Sequence, residues 1–114
     1  MADRLTKAGI PWEYETESFE IIPPSTTSIA VCKLSRGKYM LRPAMIRPTV
    51  YIPDFIDPSR KWFIEVKGME TPEFRLKFKL FLKKLREQGK YVEVYMPKNR
   101  KQVEETVKLI LERP

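Results

Sequence analysis

The 114-residue chain contains no histidine and a single cysteine, Cys32. Without histidine there is no imidazole to serve as a general base in a nucleophile triad, and none to bind a metal. One thiol cannot complete a zinc site of the finger or deaminase kind, nor form a disulfide within the chain. Cys32 sits in the apolar run Ile29-Ala30-Val31-Cys32 and reads as a small core residue. No apolar stretch approaches the roughly 18–20 residues that a membrane span requires. Met1-Ala2-Asp3-Arg4 leads into polar sequence rather than a signal-peptide core. A cytosolic protein is therefore expected, with no membrane partner and no small organic cofactor. Hydrolytic chemistry in such a chain must rest on carboxylates, lysine and a hard cation bound through oxygen.

What is abundant is positive charge. Lys and Arg outnumber Asp and Glu by 22 to 15, a net charge of +7. A basic domain attracts polyanions, because each neutralised phosphate releases condensed counterions. The length supports one domain with one core. Residues 3–8 read as the end of a short helix closed by Gly9 and stopped by Pro11. Residues 12–22 have strand-like spacing, and Pro23 to Ser28 is a loop. Strands are predicted over about 29–34 and 38–42 around an Arg36-Gly37 turn, and Arg42-Pro43 to Arg47-Pro48 as an irregular excursion. Val50 to Ile56 and Lys61 to Lys67 are the next strands, joined by Asp57 to Arg60. Thr71-Pro72 opens a helix that runs to about Gln88 and is capped by Gly89. Its apolar stripe is Phe74, Phe78, Phe81, Leu82 and Leu85, and Arg75, Lys79, Lys83 and Arg86 share another face. A strand over Tyr91 to Met96 precedes a last helix, opened by Asn99 and Gln102 as a capping box and striped by Val103, Val107, Ile110 and Leu111. The order is roughly αβββαβα, a single-domain α/β sandwich with a mixed sheet.

Within this framework one group of residues carries chemistry: Pro53-Asp54, ten residues, then Glu65-Val66-Lys67. A four-residue hairpin loop would pair Ile56 with Lys61 and place Asp54 opposite Phe63, diagonal to Glu65. Asp54, Glu65 and Lys67 then share one face, and Tyr51, Phe55, Trp62, Ile64 and Val66 form the core face. Two carboxylates so placed could hold one Mg²⁺ or Mn²⁺. Such a cation stabilises charge on a phosphoryl oxygen and generates hydroxide near neutral pH. Lys67 could hold or deprotonate the attacking water, or stabilise the transition state as a point charge. The plain alternative is a surface hairpin with an incidental Glu–Lys pair.

Tyr51-Ile52-Pro53-Asp54-Phe55, followed by Trp62-Phe63-Ile64 and Glu65-Val66-Lys67-Gly68, resembles the PD-(D/E)XK nuclease superfamily. Within it, the likeness is to small phage-encoded nucleases, including the phage endonuclease I type of Holliday junction resolvase. Ala8-Gly9-Ile10-Pro11-Trp12-Glu13-Tyr14-Glu15 is similar to the family's exit from its first helix, and the stretch from Val66 to Thr71 with Phe74, Lys77, Lys79, Leu80 and Phe81 is similar to phage proteins assigned to it. The resemblance implies a restriction-endonuclease-like fold and a Mg²⁺- or Mn²⁺-dependent endonuclease that hydrolyses DNA, with branched or recombining DNA as one candidate substrate, in the host cytoplasm if phage-encoded. It also implies metal ligation by Asp54, Glu65 and the Val66 carbonyl, and catalysis by Asp54, Glu65 and Lys67. A resolvase is expected to be a homodimer, so that two sites cut symmetric strands. The family usually carries another Glu on its first helix. Here that helix looks truncated, and Asp3 is its only acid.

The basic face of the 72–88 helix could meet phosphates through Arg75, Lys79 and Lys83, with Arg42, Arg47, Lys98, Arg100 and Lys101 as weaker candidates. A solvated helix face explains the same pattern. Trp12, Tyr14, Tyr39, Tyr51 and Trp62 could stack on bases or simply pack. The rival reading is a binding module of the same fold with weakened or lost catalysis. A third is an interaction protein whose basic faces meet acidic partners.

Overall fold

The computed structural model describes residues 1–66 and 70–113. Three helices, α1 (Ala2–Lys7), α2 (Pro72–Glu87) and α3 (Arg100–Leu111), enclose a four-stranded sheet. The sheet runs β1 (Glu13–Tyr14), β6 (Phe55–Ile56), β7 (Trp62–Ile64), β8 (Glu93–Tyr95), with β7 and β8 parallel and the other pairs antiparallel. Taken with the helices, these elements follow one another as αβββαβα. Between β1 and β6 comes a separate excursion of four strands, β2 (Phe19–Ile22), β3 (Ser25–Ser35), β4 (Lys38–Ile46) and β5 (Thr49–Tyr51).

Both faces of the sheet are covered, which explains its nearly continuous apolar strands. Phe55, Trp62 and Ile64 pack with Leu5 of α1 and Ile110 of α3. The alternate residues Ile56 and Phe63 pack with Phe19, Tyr51 and the α2 residues Phe81 and Leu85. Tyr51 thus belongs to the α2 side rather than with Phe55 and Trp62 as the alternation predicts, and Val66 is 41% exposed. The reason is that Val50 to Ile56 is not one strand. Pro53 removes a ladder donor, and the chain leaves β5 in one ribbon to join the sheet as β6.

The helix signals act as the sequence predicts. Thr71 Oγ1 accepts from Phe74 N at 3.1 Å, Asn99 Oδ1 accepts from Gln102 N at 2.9 Å, and Gly9 and Gly89 adopt φ of 72° and 70°. Gln102 reaches back to Lys98 N, one residue short of the capping-box partner. Leu82 and Leu111 are exposed at 44% and 57%, at the edges of their stripes.

The hairpin register differs from expectation by two. Ile56 pairs with Phe63, not Lys61, and Phe55 with Ile64. The turn is longer because Asp57 organises it. Its carboxylate accepts from Ser59 N and Lys61 N at 3.2 and 2.9 Å, its carbonyl accepts from Arg60 N at 2.8 Å, and Arg60 turns at φ 60°. A slip of two leaves every side chain on its face. Continued one step, the ladder sets Asp54 across from Glu65 rather than diagonal to it.

The excursion forms one long antiparallel ribbon. Phe19 pairs with Tyr51 at its root, Ser25 with Ile46 beyond the prolines, and Ser35 with Lys38 at its tip. Arg36 and Gly37, both at positive φ, make the two-residue turn. The Arg42–Arg47 stretch is mostly strand, not irregular: Pro43 pairs with Ala30, and each strand of a two-stranded ribbon has a free edge where a missing N–H costs nothing. No residue from 20 to 50 is buried, and Cys32 is half-exposed on the ribbon rather than in a core. The molecule measures 58 × 29 × 19 Å with a radius of gyration of 18.7 Å, against about 13 Å for a compact chain of this length.

Candidate active site

A carboxylate in a protein core costs several kcal/mol unless it is paired and hydrogen-bonded. Glu65 is 6% exposed, just past the end of β7, where its N–H donates to the Tyr95 carbonyl at 2.9 Å and extends the parallel pairing with β8. Its Oε1 accepts a short hydrogen bond from the Tyr51 hydroxyl. Tyr51 is held by α2, with its ring 4.5 Å from Phe81, 6.2 Å from Phe78 and 6.4 Å from Phe74. The start of the basic helix therefore lies beside the buried carboxylate.

Asp54 approaches from the other side of the hairpin. Its Oδ2 accepts from Val66 N at 2.8 Å, and its carbonyl accepts from Glu15 N at 3.0 Å. Oδ1 takes no hydrogen bond among the described residues. The two carboxylates share one electrostatic environment. Burial pushes the Tyr51 phenol well above its ordinary range, the hydrogen bond and charge of Glu65 add to this, and the charge of Asp54 contributes as well. Tyr51 accordingly remains a proton-bearing donor that fixes Glu65. Tyr14 is raised chiefly by the charge of Glu15, then by its hydrogen bond to Glu15, with Asp54 again contributing.

The structure thus brings together Asp54, Glu65 and the Val66 main chain. Lys67 lies outside the described residues. Among the described residues, no three Asp, Glu or Cys side chains converge into a metal-holding group. Two carboxylates nevertheless suit Mg²⁺, which is commonly bound through one or two carboxylates with waters and substrate phosphates completing its shell. Asp3, on α1, is exposed.

The proposed phosphate contacts fall in two places. Arg75, Lys79 and Lys83 are exposed on α2, with Arg75 3.6 Å from Glu70 and Lys83 3.8 Å from Glu87. Arg42 and Arg47 are exposed on and just past β4. Lys98 pairs with Glu70 and Arg100 with Glu104, at 3.6 and 3.9 Å. Of the candidate stacking residues, Trp62 and Tyr51 are buried, Trp12 and Tyr14 pack edge-on against Phe55, and Tyr39 is 74% exposed on the ribbon.

Sequence reasoning missed the role of Tyr51. The available signal was a hydroxyl-bearing ring three residues before Asp54, where phenylalanine would pack equally well. Glu13 and Glu17 both grip Arg60, at 2.9 and 2.7 Å, and fasten the Asp57 turn. A cavity of about 400 Å³ lies elsewhere, lined by Glu17, Phe19, Arg60 and Leu85 among others. Neither Asp54 nor Glu65 lines it. Compared with known proteins, the chain matches no family model, no curated protein and no solved structure.

Proposed function

We propose that the chain is a Mg²⁺- or Mn²⁺-dependent DNA endonuclease of restriction-endonuclease-like fold, resembling the PD-(D/E)XK nucleases and acting on branched or recombining DNA. The observation that carries this reading is the buried Glu65 across from Asp54, both acting on one phenol. A fold stabilised only by packing has no need to keep that charge in its interior. The net charge of +7 favours a polyanion as the substrate.

Asp54 and Glu65 would hold the cation, which when bound supplies charge stabilisation at the phosphoryl oxygens and a hydroxide near neutral pH. Asp54 is oriented by the Val66 N–H, and Glu65 by the Tyr51 hydroxyl. Tyr51 stays protonated and cannot act as the base. The resemblance assigns Lys67 to the attacking water or to the charge of the transition state. Arg75, Lys79 and Lys83 would position the flanking strand through its phosphates.

The test is cleavage of supercoiled plasmid and of a synthetic four-way junction in Mg²⁺ or Mn²⁺. Wild type should cut. Asp54→Asn, which keeps an oxygen for Val66 N–H, and Lys67→Ala should each lose at least about 10²–10³-fold, the scale for removing one group that stabilises transition-state charge. Wild type that binds both DNAs but cuts neither would replace this reading with a binding module. Failure to bind either would leave an interaction protein.

A further inference from the structure

The ribbon concentrates charge that the molecule itself does not neutralise. From position 21 to position 53 there are five cations, Lys33, Arg36, Lys38, Arg42 and Arg47, and no acid. All five are exposed, and none faces a carboxylate within 4.0 Å among the described residues. On α2 the cations are partly matched, since Arg75 faces Glu70 and Lys83 faces Glu87. Pairing across the ribbon sets Lys33 opposite Met40, Ser35 opposite Lys38 and Val31 opposite Arg42. Paired residues share a face, so Lys33, Lys38 and Arg42 stand together with Val31 and Met40 among them. Arg36 occupies the turn at the tip. A group of like charges destabilises itself unless a counter-charge arrives.

We propose that the ribbon is an arm that enters the major groove of duplex DNA with the face bearing Lys33, Lys38 and Arg42. It, rather than α2, supplies most of the electrostatic grip. This rests on DNA as the partner in the nuclease reading, though not on cleavage. The major groove, about 12 Å wide, admits a two-stranded ribbon, whose strands lie about 4.7–4.9 Å apart. A cation without a partner is free to displace counterions from a phosphate, whereas one already on a carboxylate must first give that up. The mixture on this face suits a groove: the cations meet the phosphate walls, and Val31 and Met40 meet apolar base edges such as the thymine methyl. The arm is also rooted at the site. Phe19 pairs with Tyr51 at its base, and the Tyr51 hydroxyl donates to Glu65. A duplex gripped by the arm is therefore tethered to the element that orients the carboxylate. An anionic membrane would match the charge but has no use for that placement.

Fluorescence anisotropy of a short labelled duplex with the full chain, in EDTA so that nothing is cut, decides it over about 0.05–0.2 M salt. Each phosphate contact contributes about 0.9 to the slope of log K against log salt. The triple variant Lys33→Gln, Lys38→Gln, Arg42→Gln should lower that slope by about 2–3 and weaken binding at least about tenfold at about 0.15 M salt. Its thermal unfolding should match wild type. Arg75→Gln, Lys79→Gln, Lys83→Gln, on α2, should lower the slope by about one or less. Leu34→Ser with Leu41→Ser, on the uncharged face, should bind as wild type, and a loss there would put the wrong face in the groove. A ribbon variant that keeps the wild-type slope, or an α2 variant that loses more, overturns the inference. So does wild type that binds phosphatidylserine vesicles but no duplex, which would assign the ribbon to a membrane surface. The two readings fail separately: a chain that cuts with its ribbon charges removed and its affinity intact has no arm, and one that binds through the ribbon without cutting is no nuclease.

Discussion

The sheet-and-helix body and the ribbon are built from equally apolar sequence and put to opposite uses. In the body, Phe55, Ile56, Trp62, Phe63 and Ile64 are all buried, because helices cover both faces. In the ribbon, Ile29, Leu34, Leu41 and Met45 stay in solvent, because β3 and β4 have only each other. Charge divides in the same way. Five cations without an acid lie in the ribbon, whereas 17 of the 22 cations meet 15 acids in the rest. Hydrophobicity alone therefore does not locate a core. What locates it is whether a second element arrives to cover the face.

That contrast can be broken most directly by paired truncations. Phe81→Ala, in the body, should cost about 3–5 kcal/mol by denaturant unfolding, because a fully buried ring leaves a cavity. Leu41→Ala, in the ribbon, should stay within about 0.5 kcal/mol when measured on the monomer. A ribbon substitution as costly as the body one would mean that the two regions fold as a single packed unit.

A smaller effect is expected where they meet. Tyr51 stands at the ribbon root and reaches into the site, and Tyr51→Phe keeps the ring while deleting the donor to Glu65. Stability should fall by about 1–2 kcal/mol, and cleavage or metal affinity by about 10–100-fold, as for other groups that orient a ligand. An unchanged rate in the proposed cleavage reaction would separate the ribbon root from the chemistry.

The smallest effect concerns the far edge of the body. Glu93 accepts from Tyr95, Tyr91 and Arg113, and its carboxyl lies below the ordinary glutamate range, chiefly through the Tyr95 hydrogen bond. A depressed folded value contributes stability above the unfolded value and loses it as pH falls through the folded one. Glu93→Gln should cost less than about 1 kcal/mol at neutral pH, and it should flatten the acid limb of stability against pH. A wild-type and variant difference that persists unchanged at low pH would contradict this.

The body was legible in the sequence because its signals are local. Thr71-Pro72, Asn99, Gly9 and Gly89 fix helix ends through hydrogen bonds and backbone angles that do not depend on distant residues. Asp54 and Glu65 were legible because alternation survives a two-residue error in register. The ribbon was not. Ile29 to Cys32 looks like core in any window, and nothing in those residues states that no partner element will arrive. Pro43 and Pro48 read as interruptions because sequence does not reveal that a two-stranded ribbon has free edges on both sides. The phenol of Tyr51 required knowing that the chain breaks at Pro53, so that Tyr51 and Asp54 approach Glu65 from different elements.

The ribbon also bears on how quickly the chain can find its fold. β1 must pair with β6 across the 43 positions that separate Glu13 from Ile56. The Arg36-Gly37 turn allows the ribbon to close from its tip downward, on the microsecond timescale of hairpins. Once Phe19 meets Tyr51, the loop left to close shrinks to about a dozen residues, which lowers the entropic cost of closure by about 1 kcal/mol. A ribbon that buries nothing beyond its root in the finished monomer would thus act as a zipper during folding, drawing together the two strands that carry the sheet.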